Sequence, residues 1–246
     1  MNIALKIDDL CKSFGGLPAT RHVSMEIASG ERRLIIGPNG AGKTTLFNLI
    51  TGDLPSDSGR IELFGTDITA RPTHKRAHLG MARTYQIITL FNRDTIAHNL
   101  ALGLLGLSPR RHQMFSALAS HTDMRETVIA TLERVGLAHL ADRPVSSISY
   151  GEKRRVEIAL ALAQRPKLLL LDEPLAGLSL EERGAVQNLI AAIPRETTII
   201  MIEHDMDVAL EYAERITLLH YGEVLADGTR ADVVNNPRTR EVYLGH

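Results

Sequence analysis

Apolar and polar residues alternate along "LKIDDLCKSF", from Leu5 to Phe14, which predicts a half-buried strand. "VSMEIASGERRLIIG" predicts a second strand, a Ser-Gly turn, and a short apolar strand, Leu34–Ile36, entering a glycine-rich loop. Thr44 to Thr51 has helical character, "GDLPSDSG" punctuates, and "RIELFGTDI" predicts a strand and turn. Between Asp94 and Arg143 the pattern changes to the three-four spacing of amphipathic helix. Val128, Leu132 and Val135 carry it, and Gly136 ends it. "ALGLLGLSPRRHQMF" predicts a further helix interrupted near Pro109. Continuous apolar runs then return in Leu168–Leu171, "TTIIMIEH" and "RITLLHYGEVLADG", as parallel strands covered on both faces would give. The pattern predicts an α/β core with an inserted helical lobe.

Composition narrows this only a little. The 246 residues suit one large domain, or a core with a smaller lobe. Hydrophobic content of 44% and charged content of 23% are ordinary for a soluble globular chain. With a net charge of −1 there is no overall pull toward nucleic acid or an anionic membrane. The single cysteine, Cys11, excludes an intrachain disulfide, fits a reducing compartment, and is expected as a small core residue. Lys6, Asp8 and Asp9 interrupt what a signal peptide would need as an apolar stretch. No run approaches the roughly 18 apolar residues of a spanning helix. A soluble, cytoplasmic chain able to act at a membrane through a partner is expected.

Candidate chemistry begins at "GPNGAGKTT": Gly37, Pro38, Asn39, Gly40, Ala41, Gly42, Lys43, Thr44 and Thr45. This matches G-x-x-x-x-G-K-[ST] between a predicted strand and a predicted helix. Glycines let backbone N–H groups approach phosphate oxygens, and the helix adds its positive end. Lys43 suits the β- and γ-phosphates, and the Thr44 hydroxyl suits Mg²⁺. No N-K-x-D base selector is found, so adenine is the better fit than guanine. "LLLLDEP" then ends an apolar strand in Asp172 and Glu173, at the sheet edge where ligands of open parallel sheets bind. One carboxylate can hold Mg²⁺, and its neighbour can orient or deprotonate water. "SYGE", Ser149 to Glu152, fits a capping box, and a capped helix start is also a place to bind phosphate.

"GPNGAGKTT", "RTYQ", "ISYGEKRRVEIALAL", "LLLLDEP" and "IEHD" occur in an order and spacing similar to those of ATP-binding subunits of ABC transporters, over essentially the whole chain. The resemblance implies a P-loop NTPase (RecA-like) core with an N-terminal antiparallel β subdomain and an inserted helical subdomain. It places the helical subdomain at 91–154 and the remainder at 1–90 and 155–246. It implies two cassettes sandwiching two ATP molecules head to tail, so that the signature helix of one faces the γ-phosphate held by the other. Phe14 would stack on adenine. Gln86 would touch Mg²⁺ or water and report occupancy to the membrane partner. Ser149 and Gly151 would contact the partner-bound γ-phosphate, Glu173 would be the catalytic base, and His204 would hydrogen-bond the γ-phosphate.

Two departures from the pattern stand out. Tyr150-Gly151-Glu152 replace the usual glycine pair and glutamine, and Ser179 stands where many members carry aspartate in a cross-dimer loop. Tyr150, "FGGLPATRHVSMEI", "ARTYQIITLF" and the tail "NNPRTREVYLGH" are similar to the branched-chain amino acid importer subgroup. That implies two membrane-spanning permease subunits, a homodimer or a heterodimer with a sister ATPase, an indirect solute-binding protein, and a place on the inner face of the cell membrane. ATPases of lipopolysaccharide-type exporters carry a similar helix and tail. A soluble, non-transport ABC ATPase would bring fused cassettes or coiled coils that this chain lacks. A docking surface is expected around Phe91 to Leu107, where "HNLALGLLGL" suits a partner groove or core equally.

Overall fold

The computed structural model describes residues 2–108, 122–203 and 213–244. The chain forms two compact units. The first comprises 1–81, 167–173 and 194–246, and the second 82–166 and 174–193.

In the first unit, β1 (Ile3–Phe14) pairs antiparallel with β2 (Leu17–Ala28) and β4 (Ser58–Leu63), and β4 with the two-residue β5 (Thr66–Asp67). The antiparallel sheet therefore runs β2-β1-β4-β5. A second sheet runs β10-β9-β3-β8-β7-β6. Its parallel centre is β3 (Arg32–Ile36), β7 (Leu168–Asp172), β8 (Thr198–Ile202) and β9 (Arg215–His220). All fifteen residues of β3, β7 and β8 are buried: the apolar runs Leu34–Ile36, Leu168–Leu171 and Ile199–Ile202 are covered on both faces, and Arg32, Arg33, Asp172 and Thr198 are buried at their ends. β6 (Met81–Thr84), too short to announce itself in the sequence, is where the chain leaves this unit.

In the run "RITLLHYGEVLADG", β9 is parallel to β3 as expected, and the second half departs: β10 (Glu223–Gly228) turns back as an antiparallel hairpin on β9. Tyr221 and Gly222 both adopt positive φ, the geometry of a two-residue hairpin turn.

Helix α1 (Lys43–Thr51) packs Leu46, Phe47, Leu49 and Ile50 into one core with Leu5, Ile7 and Ile27 of the antiparallel sheet. The same core takes Ile35, Leu170 and Ile200 of the parallel sheet. The helix is apolar on most sides because it fills the space between two sheets. Its C-terminus is closed by Gly52 in the left-handed region and by the buried Arg76, on the short helix α2 (Thr73–His78). The Arg76 guanidinium donates to the carbonyls of Leu49 and Ile50, each at 2.7 Å, and to those of Thr69 and Arg71. A cation at that end also complements the helix dipole.

Cys11 departs from its expected core place. β1 is bulged against β2 around Leu10, and both Asp9 and His22 adopt positive φ. The part-exposed Cys11 sulfur accepts from the His22 N–H, while His22 Nδ1 meets Asp9 at 2.6 Å. The trio is used in closing the bulge.

The second unit is helical: α3 (Ile96–Leu107), α4 (Thr122–Arg134), α5 (Tyr150–Ala163) and α6 (Leu180–Ala191). Val128, Leu132, Val135, Ile96, Leu100, Val156 and Ala159 form its core. The periodicity over Val128–Val135 is therefore a buried stripe, and α3 ends before Pro109, beyond which the chain lies outside the described residues. The unit is larger than the expected 91–154, because Leu189 of α6 packs on the same cluster and draws 174–193 into it. Among the described residues, no helix is long and apolar enough to cross a membrane.

Candidate nucleotide site

β3 delivers the chain into the loop Gly37–Gly42, and α1 begins at Lys43. Two glycines are required by close approach as well as by φ. A Cβ on Gly37 would lie 2.2 Å from the Leu219 carbonyl oxygen, and one on Gly42 would lie 2.2 Å from that of Ala19. Both sit at positive φ, 152° and 100°. No side chain caps the first turn of α1, and that turn carries no acid. Its N–H groups and dipole therefore keep their capacity for an anion. Gly42→Ala is expected to cost about 1–3 kcal/mol through overpacking. Calorimetry should then record an unfolding midpoint roughly 2–12 °C lower, and an unchanged midpoint would show that Ala19 yields freely.

Lys43 is buried, and its Nζ donates to the carbonyls of Gly37 at 2.7 Å and Pro38 at 3.0 Å. Burial pushes its ammonium below the ordinary range, and the carboxylates of Glu173 and then Asp172 push it back up. Lys43, Asp172 and Glu173 thus share one electrostatic field at the ends of β3 and β7. Asp172 is 1% exposed, while Glu173 is half-buried. Glu173 adopts φ 46°, a region that non-glycine residues rarely enter, and its N–H donates to the Ile202 carbonyl at 3.0 Å. Backbone strain of this kind, on the order of 1–3 kcal/mol, gathers at functional sites.

Phe14 ends β1 half-exposed, outside the core, on a strand end fixed by Asp57, which accepts from Lys12 Nζ and the Ser13 N–H. β2 then carries Ala19 against Gly42, so the β1–β2 turn lies at most a few residues from the loop. Thr44 is exposed and Thr45 half-buried at the start of α1.

In the second unit, Ser149 caps α5 in a full capping box with Glu152. The Ser149 hydroxyl and the Gly151 N–H both donate to one carboxylate oxygen of Glu182, at 3.1 and 3.0 Å. Glu182 itself belongs to a second capping box, with Ser179 at the start of α6.

A family model described as "ABC transporter" matches residues 20–176. The chain belongs to the ABC transporter family. It is 36% identical to the high-affinity branched-chain amino acid transport ATP-binding protein LivG of Salmonella typhimurium, covering 98% of this chain and 97% of that one. It is also 36% identical to the corresponding protein BraF of Pseudomonas aeruginosa, with the same coverage. A crystal structure of a nucleotide-free ATP-binding cassette from an ABC transporter superposes with a TM-score of 0.88 at 32% identity over the full length of both chains. The ADP conformation of an ATP-binding cassette gives the same TM-score and identity. The α/β P-loop fold expected from the sequence is the one observed, and the chain is an ATP-hydrolysing cassette.

Within this ABC cassette, the expected site residues fall into two sets. The phosphate loop, Phe14, Asp172 and Glu173 belong to the first unit; Gln86, Ser149 and Gly151 belong to the second. His204 lies outside the described residues. Sequence reasoning missed the anchor of the Gln86 segment. Arg154 and Glu157, on the buried face of α5, pair at 2.6 Å. Arg154 donates to the carbonyls of Tyr85 at 2.8 Å and Gln86 at 3.2 Å, and Glu157 accepts from the Tyr85 N–H at 3.0 Å. Their only sequence signal is an i,i+3 opposite-charge pair inside "EKRRVEI", which reads as a solvated face.

Proposed function

We propose that this chain binds and hydrolyses ATP to drive an ABC importer of branched-chain amino acids or related small polar solutes. The carrying observation for hydrolysis is Lys43 in the field of Asp172 and Glu173 beside an uncapped helix start. The cargo class rests on likeness to LivG and BraF over nearly their whole length.

The loop 37–42 and Lys43 hold the phosphates, and Phe14 stacks on adenine. The Thr44 hydroxyl, the Asp172 carboxylate and the Gln86 amide are hard oxygen donors, the kind Mg²⁺ accepts. When bound, the ion would neutralise charge on the β- and γ-phosphate oxygens. Glu173 takes a proton from the attacking water. His204 and, from a second cassette, Ser149 and Gly151 contact the γ-phosphate. The second cassette is another copy or a sister ATPase. Two membrane-spanning permease subunits complete the assembly at the inner face of the cell membrane, and a solute-binding protein meets the complex through them. Ile87 and Phe91, both exposed beside Gln86, offer these subunits apolar contact. No nucleic acid partner is involved.

The test is to tag the Glu173→Gln variant, solubilise its native membranes gently with ATP present, and identify the captured subunits by mass spectrometry. Two importer-type permeases are expected. Export machinery would overturn the direction of transport, and soluble partners alone would overturn the transport assignment.

A further inference from the structure

The signature helix α5 already holds a carboxylate. Glu182 Oε1 accepts from the Gly151 N–H at 3.0 Å and the Ser149 hydroxyl at 3.1 Å. Its Oε2 accepts from the Ser179 N–H at 3.1 Å and the Ser179 hydroxyl at 3.0 Å. We propose that Glu182 is a latch on the signature, occupying the Ser149 and Gly151 donors until the γ-phosphate of an opposing ATP displaces it. This rests on the assignment of those two residues to the opposing nucleotide.

Donor arithmetic makes the competition direct. The Ser149 hydroxyl has one proton, given to Glu182, while its oxygen accepts from the Glu152 N–H at 3.1 Å. The Gly151 N–H likewise has one proton to give. A phosphate oxygen cannot take both while the carboxylate keeps them, and two anions on the same donors repel. The four donors also favour the charged form of Glu182, holding its carboxyl below the usual range. Ser179 is the largest influence, followed by Gly151 and Ser149.

Two local features are explained by the latch. A Cβ on Gly151 would lie 2.5 Å from the Glu182 carboxyl carbon, so glycine is what admits the carboxylate. The Ser179 hydroxyl lies 3.0 Å from Glu182 Oε2; an aspartate there would bring a second negative charge to the same point. Serine in the place of the aspartate of many relatives is therefore compatible with the contact. On displacement, Glu182 retains Ser179 as a partner, so the start of α6 keeps its cap.

The test compares Glu182→Gln with wild type. Glutamine keeps the capping box on α6 and removes the competing charge. In the complex purified through a tag on this chain, the ATP concentration for half-maximal hydrolysis is expected to fall roughly two- to tenfold, the scale of one net hydrogen bond. Hydrolysis without transported solute should rise with it. In the isolated chain, the Gly151 amide resonance should follow a carboxylate titrating below the usual range, and should stop doing so in the variant. An unchanged or higher half-maximal ATP concentration, with a Gly151 amide indifferent to pH, overturns the latch. Ser149→Ala tests the underlying assignment separately. Wild-type hydrolysis in that variant would remove the signature from the nucleotide site, whatever Glu182 does.

Discussion

ATP turnover is expected to fall roughly 10²–10⁴-fold when Glu173 is replaced by glutamine, the range set by loss of a general base. The amide is nearly isosteric, so the turn at φ 46° and the Glu173 N–H bond to Ile202 should persist. ATP binding should change little, because the loop 37–42 and the uncapped start of α1 are untouched. The measurement is phosphate release alongside equilibrium nucleotide binding, on the complex carrying the variant. Turnover within a few-fold of wild type would assign the proton transfer to another group. A matched loss of binding and turnover would mean that Glu173 supports the loop through its effect on Lys43 instead.

The largest stability loss is expected from Arg154→Ala. Arg154 is fully buried, and Glu157 is 6% exposed. Removing the arginine leaves the Glu157 carboxylate buried without its 2.6 Å partner and deprives the Tyr85 and Gln86 carbonyls of donors. Breaking a buried pair in this way costs about 3–5 kcal/mol. The unfolding midpoint should drop roughly 6–20 °C by calorimetry. Replacing both partners, Arg154→Met with Glu157→Leu, should recover part of that loss, since no buried charge then remains. Recovery will be incomplete, because the Tyr85 and Gln86 carbonyls lose their Arg154 donor in either variant, and the Tyr85 N–H loses Glu157 in the double one. A fall below about 1 kcal/mol in the single variant, the value of an exposed ion pair, would mean that water reaches the pair.

The parts of the fold legible in the sequence were those whose signal is local and repeated. β1 alternates, the runs Leu34–Ile36, Leu168–Leu171 and Ile199–Ile202 are apolar throughout, and the phosphate loop is one contiguous segment. Asp172 and Glu173 were legible for the same reason, though the left-handed turn at Glu173 was not, because nothing in "DEP" demands it. Features made by distant segments stayed hidden. The Arg154–Glu157 anchor joins segments about 70 positions apart, and Glu182 reaches Gly151 across 31. The β9–β10 hairpin was readable in principle from "HYGE", but β9 is itself parallel to β3, so the run reads as parallel until the turn. The helical unit outgrew its expected limits because α6 contributes Leu189 to a core whose other members lie far upstream.

Arg76 bears on how variants of this protein are interpreted. An intolerant arginine near a nucleotide-binding helix invites the inference that it touches phosphate. Here the guanidinium ties the opposite end of α1, at the Leu49 and Ile50 carbonyls, to those of Thr69 and Arg71, a planar arrangement that no single point charge can satisfy. In a saturation mutagenesis screen scored on growth, Arg76 would then rank beside Lys43 as a position that accepts almost nothing, including lysine. Abundance would separate the two, falling with Arg76 and holding with Lys43. Intolerance at Arg76 would be a record of how the helix ends, not of what it binds.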